Sequence, residues 1–272
     1  MLSPEMIERY QRQILVIGKE KQEELGSKTV LQVGLGGLGS PLALYLTASG
    51  IGKLIIFEQD NLSLSNLGRQ ILYRTDDVNF SKVEIGKKYL NALNPAVTVK
   101  IVPSWFTRES AGPVLKSQRI DYLVDASDNF ATKFLVNDLG IQYNIPFTIA
   151  GIQGFEGQLL SVIPKKTACY RCLFGEPPKS KDSNPIPVLA PTCGVVGSLE
   201  ASEVLKGLLG IGEMIVDRLL IVNLEDGEFQ SIPFHRNPKC LFFKSPSSQV
   251  IPFQYKMNLD NYNYYRHNNP HL

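Results

Sequence analysis

The chain has 272 residues, 43% hydrophobic and 20% charged, which is the make-up of an ordinary soluble globule with room for one large α/β domain or a domain plus an extension. Its 28 basic and 26 acidic residues leave a formal net charge of +2, with no polyanion-binding signature, so nucleic acid is not an expected partner. The charged start MLSPEMIERYQRQ lacks the apolar core of a signal peptide, and no run nears the roughly 18 apolar residues of a membrane span; a cytoplasmic protein with no membrane partner is expected.

In chain order, Pro4 to Val16 and Lys19 to Leu25 carry helical spacing and form an arm ahead of the first strand. Arg12, in Tyr10-Gln11-Arg12-Gln13, sits on its polar face, where an arginine is ordinarily solvated. Then comes a strand through Val30, Leu31 and Val33, the turn Gly34-x-Gly36-x-x-Gly39, a helix to Gly50, and a second strand, Leu54 to Phe57, ending on Glu58 and Asp60. Glycines at these spacings permit a tight turn, close approach of backbone to phosphate, and close helix packing. The helix N-terminus then faces an anion, and an acid about 20 residues on is placed to accept from a ribose hydroxyl. Nucleotide binding is the expectation, with a purely structural turn as the alternative.

Asn61 to Gln70 follows the second strand at the edge where an open parallel sheet binds its ligand, and Ser65, Asn66, Arg69 and Gln70 are placed to hold phosphate oxygens, with Arg69 as a fork donor. A helix is expected over Asp77 to Leu93, with Lys82 in its first turns, an unfavourable place for a cation unless an anion is near. Val97 to Val102 is a strand and Thr107 to Leu115 a helix. The strand Ile120 to Ala126 runs into Ser127-Asp128-Asn129, where Asp128 is either the N-cap of a helix reaching Tyr143 or a ligand for magnesium on a triphosphate, two compatible roles.

Further strands are expected over Pro146 to Ala150, Gly157 to Ile163, Arg218 to Leu224 and Glu228 to Phe234, the last two a hairpin around Asp226-Gly227. Alternating strands and helices thus give way to consecutive strands, so the later sheet is mixed. Gly194 to Leu209 is a long helix whose start, GVVGSLEA, offers small residues for packing at a subunit interface. The five-proline stretch 174–192 reads as an irregular crossover, and 244–272 as a polar tail beyond a single domain spanning 1–243. Of the four cysteines, the pair Cys169-x-x-Cys172 points to metal or redox chemistry.

The motifs YQRQ, GLGGLGS, SLSNLGRQ with Lys82, DASDN, CYRC, GVVGSLEA and HRNPKC, in that order over about Met6 to Cys240, resemble the ubiquitin-activating-enzyme-like adenylyltransferases of the MoeB, ThiF and HesA type. The resemblance implies a Rossmann-like, mostly parallel sheet with helices on both faces, extended by antiparallel strands. It also implies ATP-dependent adenylation of the C-terminal glycine of a small ubiquitin-like sulfur carrier ending in Gly-Gly. Arg69 and Lys82 would hold the triphosphate with Ser65, Asn66, Gln70 and Asn129 nearby, Gly36 and Gly37 would let the backbone approach the nucleotide, and Asp128 would bind magnesium. Arg12 would enter a partner subunit's site, implying a homodimer.

Three positions depart from the family pattern. Glu58 stands where aspartate is usual for the ribose. Phe243 replaces a cysteine of the second zinc-binding pair, leaving Cys169, Cys172 and Cys240 as an incomplete set for which a relic cluster is expected, with His235 as a conceivable fourth ligand. Ser183 falls where some relatives carry an adduct-forming cysteine, so adenylation without a covalent carrier intermediate is expected, and Cys193 is expected to be a buried packing residue. The rival readings are a nicotinamide-dependent oxidoreductase, an adenylating enzyme acting on a tRNA base or a peptide C-terminus, and a non-catalytic scaffold.

Overall fold

Strands that are covered on both faces need continuous apolar runs rather than alternation. β1 (Thr29–Val33), β2 (Lys53–Phe57) and β4 (Tyr122–Asp125) are of this kind, with at most their first residue outside the core. β3 (Thr98–Val102) alternates at its start, as an edge strand does. The computed structural model describes residues 2–177 and 186–242, and joins these strands to β5 (Phe147–Gln153), β6 (Glu156–Val162), β7 (Arg218–Asn223) and β8 (Glu228–Pro233) in the order β3-β2-β1-β4-β5-β6-β7-β8. The first five in that order run parallel and the last three antiparallel, the mixed sheet expected. Gly227 closes the β7–β8 hairpin at φ +79°, a conformation side chains resist. The 244–272 tail lies outside the described residues.

Helices cover both faces. On one, α4 (Gly39–Ser49), α5 (Lys82–Leu93) and α9 (Ala190–Leu209) set Leu42, Leu46, Val83, Val196 and Val204 against Val30, Ile56 and Val124. On the other, α6 (Arg108–Ser117), α7 (Phe130–Gln142) and the one-turn α8 (Tyr170–Phe174) set Leu115, Phe134 and Tyr170 against Leu31, Ile55 and Phe147. The sequence gives α8 no period long enough to announce it.

The arm and two later helices depart from expectation. Pro4 to Val16 is two helices, α1 (Pro4–Arg9) and α2 (Gln11–Ile17), followed by α3 (Lys19–Leu25). The break falls at Tyr10, whose side chain is drawn into the core, where its hydroxyl accepts from Asn94 Nδ2 at 2.8 Å. Asp77 does not open α5; it ends a 3-10 turn, and Asn79 at φ +75° separates that turn from a helix starting at Lys82. α9 begins at Ala190 with Pro191 in its first turn, four residues early, because proline suits a position needing no N–H. Of its small residues, Gly197 serves packing within the chain: a Cβ there would stand 2.6 Å from Pro41 Cγ, so α4 and α9 meet backbone to side chain, whereas a Cβ at Gly194 would meet nothing within 4 Å among the described residues.

α9 also buries two acids. Glu203 is satisfied, accepting from Ser161 Oγ at 2.7 Å and Ile215 N at 2.6 Å at the end of a chain through Thr148 to Tyr122. Glu200 is wholly buried and neither carboxyl oxygen has a partner among the described residues, so burial pushes its pKa well up and it folds protonated. The sign follows: above about pH 4.3 the unfolded chain gives up this proton while the folded chain keeps it, so stability falls as pH rises toward the folded pKa, by up to about 1.4 kcal/mol per pH unit. Glu200→Gln removes this term. Melting curves at pH 5, 6, 7 and 8 should show the variant gaining on the wild type with each step, by about 2–4 °C per unit while the native group stays protonated.

Candidate functional site

A cavity of ≈ 530 Å³ opens at the carboxyl ends of β1, β2 and β4, where the strand order reverses between β1 and β4, the place an open α/β sheet holds its ligand. Gly34 leaves β1 at φ +92°, close enough to Ala126 that a Cβ would stand 2.8 Å from its carbonyl oxygen. Gln32 donates from Nε2 to the carbonyls of Gly34 and Gly39, both at 2.9 Å, and Tyr73 donates its hydroxyl to the Leu35 carbonyl at 2.9 Å. The turn is thereby fixed from inside. No side chain caps the N-terminus of α4; Ser40 N already donates to the Gly36 carbonyl at 2.9 Å and Pro41 has no N–H, so what this helix end offers an anion is chiefly its dipole.

The three glycines divide their work in a way spacing does not reveal. At Gly39 a Cβ would meet the Gly34 carbonyl oxygen at 2.3 Å, the packing requirement expected. At Gly37 it would meet Cys193 Sγ at 2.8 Å, so this glycine is required by α9 beneath it as well as by any ligand above. Cys193 is 1% exposed, a packing residue as expected, and burial raises its pKa against the opposing pull of Arg69. At Gly36 a Cβ would find only ordinary contact, 3.6 Å from Gln70 Nε2.

Of the residues singled out in the sequence, Gly36, Gly37, Glu58, Asn66, Arg69, Gln70, Lys82, Asp128 and Asn129 all line this one cavity. Glu58 is nearly buried: Oε2 accepts from Leu35 N at 3.1 Å, and Oε1 from Gln59 N and Asp60 N at 2.9 Å each. Its extra methylene lets it brace the glycine turn, with a lone pair on Oε2 left over for a hydroxyl donor. Gln70 is buried, and its Oε1 has no hydrogen-bond partner among the described residues. Asn66 caps its own turn, its Oδ1 taking Ser63 N at 3.1 Å. Among the described residues Arg69 hydrogen-bonds only to the Ser65 carbonyl, at 3.2 Å, which leaves most of its fork for a ligand. Lys82, first in α5 and nearly buried, pairs with Asp60 at 3.1 Å, the anion its position calls for.

At the end of β4 the structure rules out one of the two roles expected of Asp128, the helix cap. The N-cap of α7 is Asn129, whose Oδ1 accepts from Thr132 N at 2.9 Å. Asp128 is left exposed at the cavity with no hydrogen bond or ion pair among the described residues, a free carboxylate suited to a hard cation. Asn129 correspondingly has its carbonyl oxygen committed to the helix.

Ser65 and Arg12 stand outside the cavity. The Ser65 hydroxyl is hydrogen-bonded to that of Ser63 at 2.9 Å. Arg12 is exposed on α2 and does not line this chain's own cavity. Sequence reading missed Lys133, buried on α7 and pairing with Asp125 at 2.8 Å while donating to the carbonyls of Ser127, at 2.7 Å, and Ala150. The available signal was a lysine in the first turns of a helix, a place that costs free energy without an anion. The apolar wall of Ile152, Phe155, Ile186 and Val188 was missed as well. Ile186 to Leu189 returns from the crossover along the β5–β6 turn, with Gly154 N donating to the Pro187 carbonyl at 2.7 Å and Leu189 N to the Gly154 carbonyl at 3.1 Å. Ser183 lies outside the described residues.

The cysteine cluster sits apart from this cavity. Cys169 Sγ lies 3.7 Å from Cys172 Sγ and 3.6 Å from Cys240 Sγ. Zinc–thiolate bonds of about 2.3 Å in a tetrahedron put sulfurs about 3.8 Å apart, so the three fit one face of a structural zinc site. His235 is exposed and outside the group, and among the described residues no further His, Cys, Asp or Glu joins it; Phe243 is beyond them.

Comparison with known proteins places these features. The ThiF family profile matches residues 10–242. The chain is 39% identical over 253 residues to the sulfur carrier protein adenylyltransferase of Thermus thermophilus, covering 87% of this chain and 90% of that protein. It is 38% identical over 244 residues to the SAMP-activating enzyme E1 of Haloferax volcanii, covering 88% and 89%. Among solved structures, Escherichia coli MccB with MccA-N7isoASN superimposes with a TM-score of 0.79 over 90% of this chain and 76% of that one, at 24% identity, a likeness of fold.

Two outcomes are expected. Gly37→Ala should destabilise by about 1–3 kcal/mol through overpacking, and adding Cys193→Ala should restore most of it, measured by denaturant unfolding of both variants. Elemental analysis of protein purified without chelator should find zinc approaching one ion per chain, with Cys172→Ser losing it and melting several degrees lower.

Proposed function

The chain belongs to the ThiF family, and from that premise we propose that it uses ATP to adenylate the C-terminal glycine of a small ubiquitin-like sulfur carrier ending in Gly-Gly, releasing pyrophosphate. The observation that carries this reading is the convergence on one cavity of an uncapped helix N-terminus, the Arg69 fork, Lys82 and the unpartnered Asp128 carboxylate. A dinucleotide oxidoreductase would give these groups no common task.

The reaction brings a carboxylate against an α-phosphate, so two anions must be held together and the departing pyrophosphate neutralised. Arg69 takes the phosphate oxygens bidentately, and Lys82 exchanges part of its pairing with Asp60 for the triphosphate. Gln70 lines the phosphate side with its Nε2 near Gly36, and Glu58 receives the ribose. Asp128 would hold magnesium, which supplies charge neutralisation on the triphosphate. The apolar wall under Ile186 and Val188 accepts the thin glycine-ended tail of the carrier. Arg12, exposed on the arm, supplies a further cation to the site of a second copy in a homodimer. The carrier is of the kind that serves molybdopterin or thiamine synthesis.

Arg69→Ala and Asp128→Ala should each lower magnesium-dependent ATP–pyrophosphate exchange by at least about a hundredfold while leaving the melting curve unchanged. Exchange by the wild type should require one cognate carrier and vanish when that carrier loses its terminal glycine. Full exchange in either variant removes the site assignment.

A further inference from the structure

Trp105 is the chain's single tryptophan, and it is 57% exposed while lining the cavity. Its place is held firmly. Trp105 N donates to Gln59 Oε1 at 3.1 Å, and its carbonyl accepts from Ser110 Oγ at 2.6 Å and Ser104 Oγ at 3.1 Å. The next residue, Phe106, is buried, edge-on to Phe57 with centroids 5.2 Å apart. One ring is anchored in the core and its neighbour is held out at the cavity.

The direction of the sheet says what that indole meets. β1, β2 and β3 lie side by side, with neighbouring strands about 4.8 Å apart. At the end of β1 is the glycine turn, suited to phosphate; at the end of β2 is Glu58, suited to a ribose. Glu58 N donates to the Val102 carbonyl at 3.3 Å, which places the loop after β3, carrying Trp105, directly beyond it. Phosphate, ribose and base follow one another in a nucleotide as these three strand ends do in the sheet. Resting on the ATP reading above, we propose that Trp105 is the platform on which the nucleotide base stacks, so that the chain grips the base through one aromatic face. Stacking of this kind is tolerant of base identity and favours the larger purine ring over a pyrimidine.

The experiment uses the full chain with magnesium. Titration with ATP quenches the single-tryptophan fluorescence of the wild type, whereas inorganic tripolyphosphate binds without quenching. By calorimetry, Trp105→Ala weakens ATP about tenfold and UTP by less, Trp105→Phe stays within about threefold of wild type, and tripolyphosphate affinity is the same in all three. ATP affinity unchanged in Trp105→Ala overturns the platform while leaving ATP use intact. Equal losses for ATP and tripolyphosphate also overturn it, since they mark a general disturbance of the cavity. A wild type that binds tripolyphosphate but not ATP removes the adenylating reading together with the platform.

Discussion

Lys133 spends its ammonium on three acceptors from three segments: the Asp125 carboxylate at the end of β4, the Ser127 carbonyl in the turn after it, and the Ala150 carbonyl on β5. Both members of the ion pair are nearly or wholly buried. Removing two charges from water costs several kcal/mol per ion, and only a pair whose remaining groups are also bonded recovers it. Here the recovery is complete on the lysine side, and Asp125 Oδ1 takes Ser127 Oγ at 2.6 Å as well. Burial still raises the Asp125 pKa against the opposing pull of Lys133. The shape of the cavity mouth depends on this clamp, because it sets the path from which Asp128 projects, and that path closes over Gly34.

Much of this architecture is legible in the amino-acid order because the buried parallel strands are mostly apolar, with Gln32, Asp125 and Thr148 the polar exceptions, and because the glycine turn leaves little room for side chains. The strand set, the mixed sheet and the cavity position follow from those two facts. The misplaced boundaries share a cause: helix starts are chosen by caps and single backbone conformations rather than by period. Asn79 and Pro191 moved the starts of α5 and α9, and Tyr10 broke the arm by finding a partner in Asn94, 84 residues away. Of the site, the residues carrying charge at strand ends were readable. The roles of Lys133, Asp60 and the Cys193 contact were not, since each depends on a neighbour distant in sequence.

Packing beneath the site is as constrained as the chemistry above it. α4 and α9 touch through Gly197 on Pro41, and through Cys193 under Gly37, so the floor of the glycine turn is supplied by a helix that begins 153 residues after it. That helix also carries Glu200, unpartnered, and Glu203, fully bonded, so one element supports the turn and holds the buried acid whose proton the fold retains.

The division of labour between Asp128 and Asn129 has a consequence beyond this cavity. Either residue type caps a helix well. Were the two exchanged, composition, net charge and helix would survive, and the carboxylate would be the group occupied by a backbone N–H while an amide faced the opening. Such an inverted pair would be invisible to any profile that counts acids near a strand end. In this dipeptide it is the order of the two side chains, and not their presence, that leaves a negative charge free for a cation.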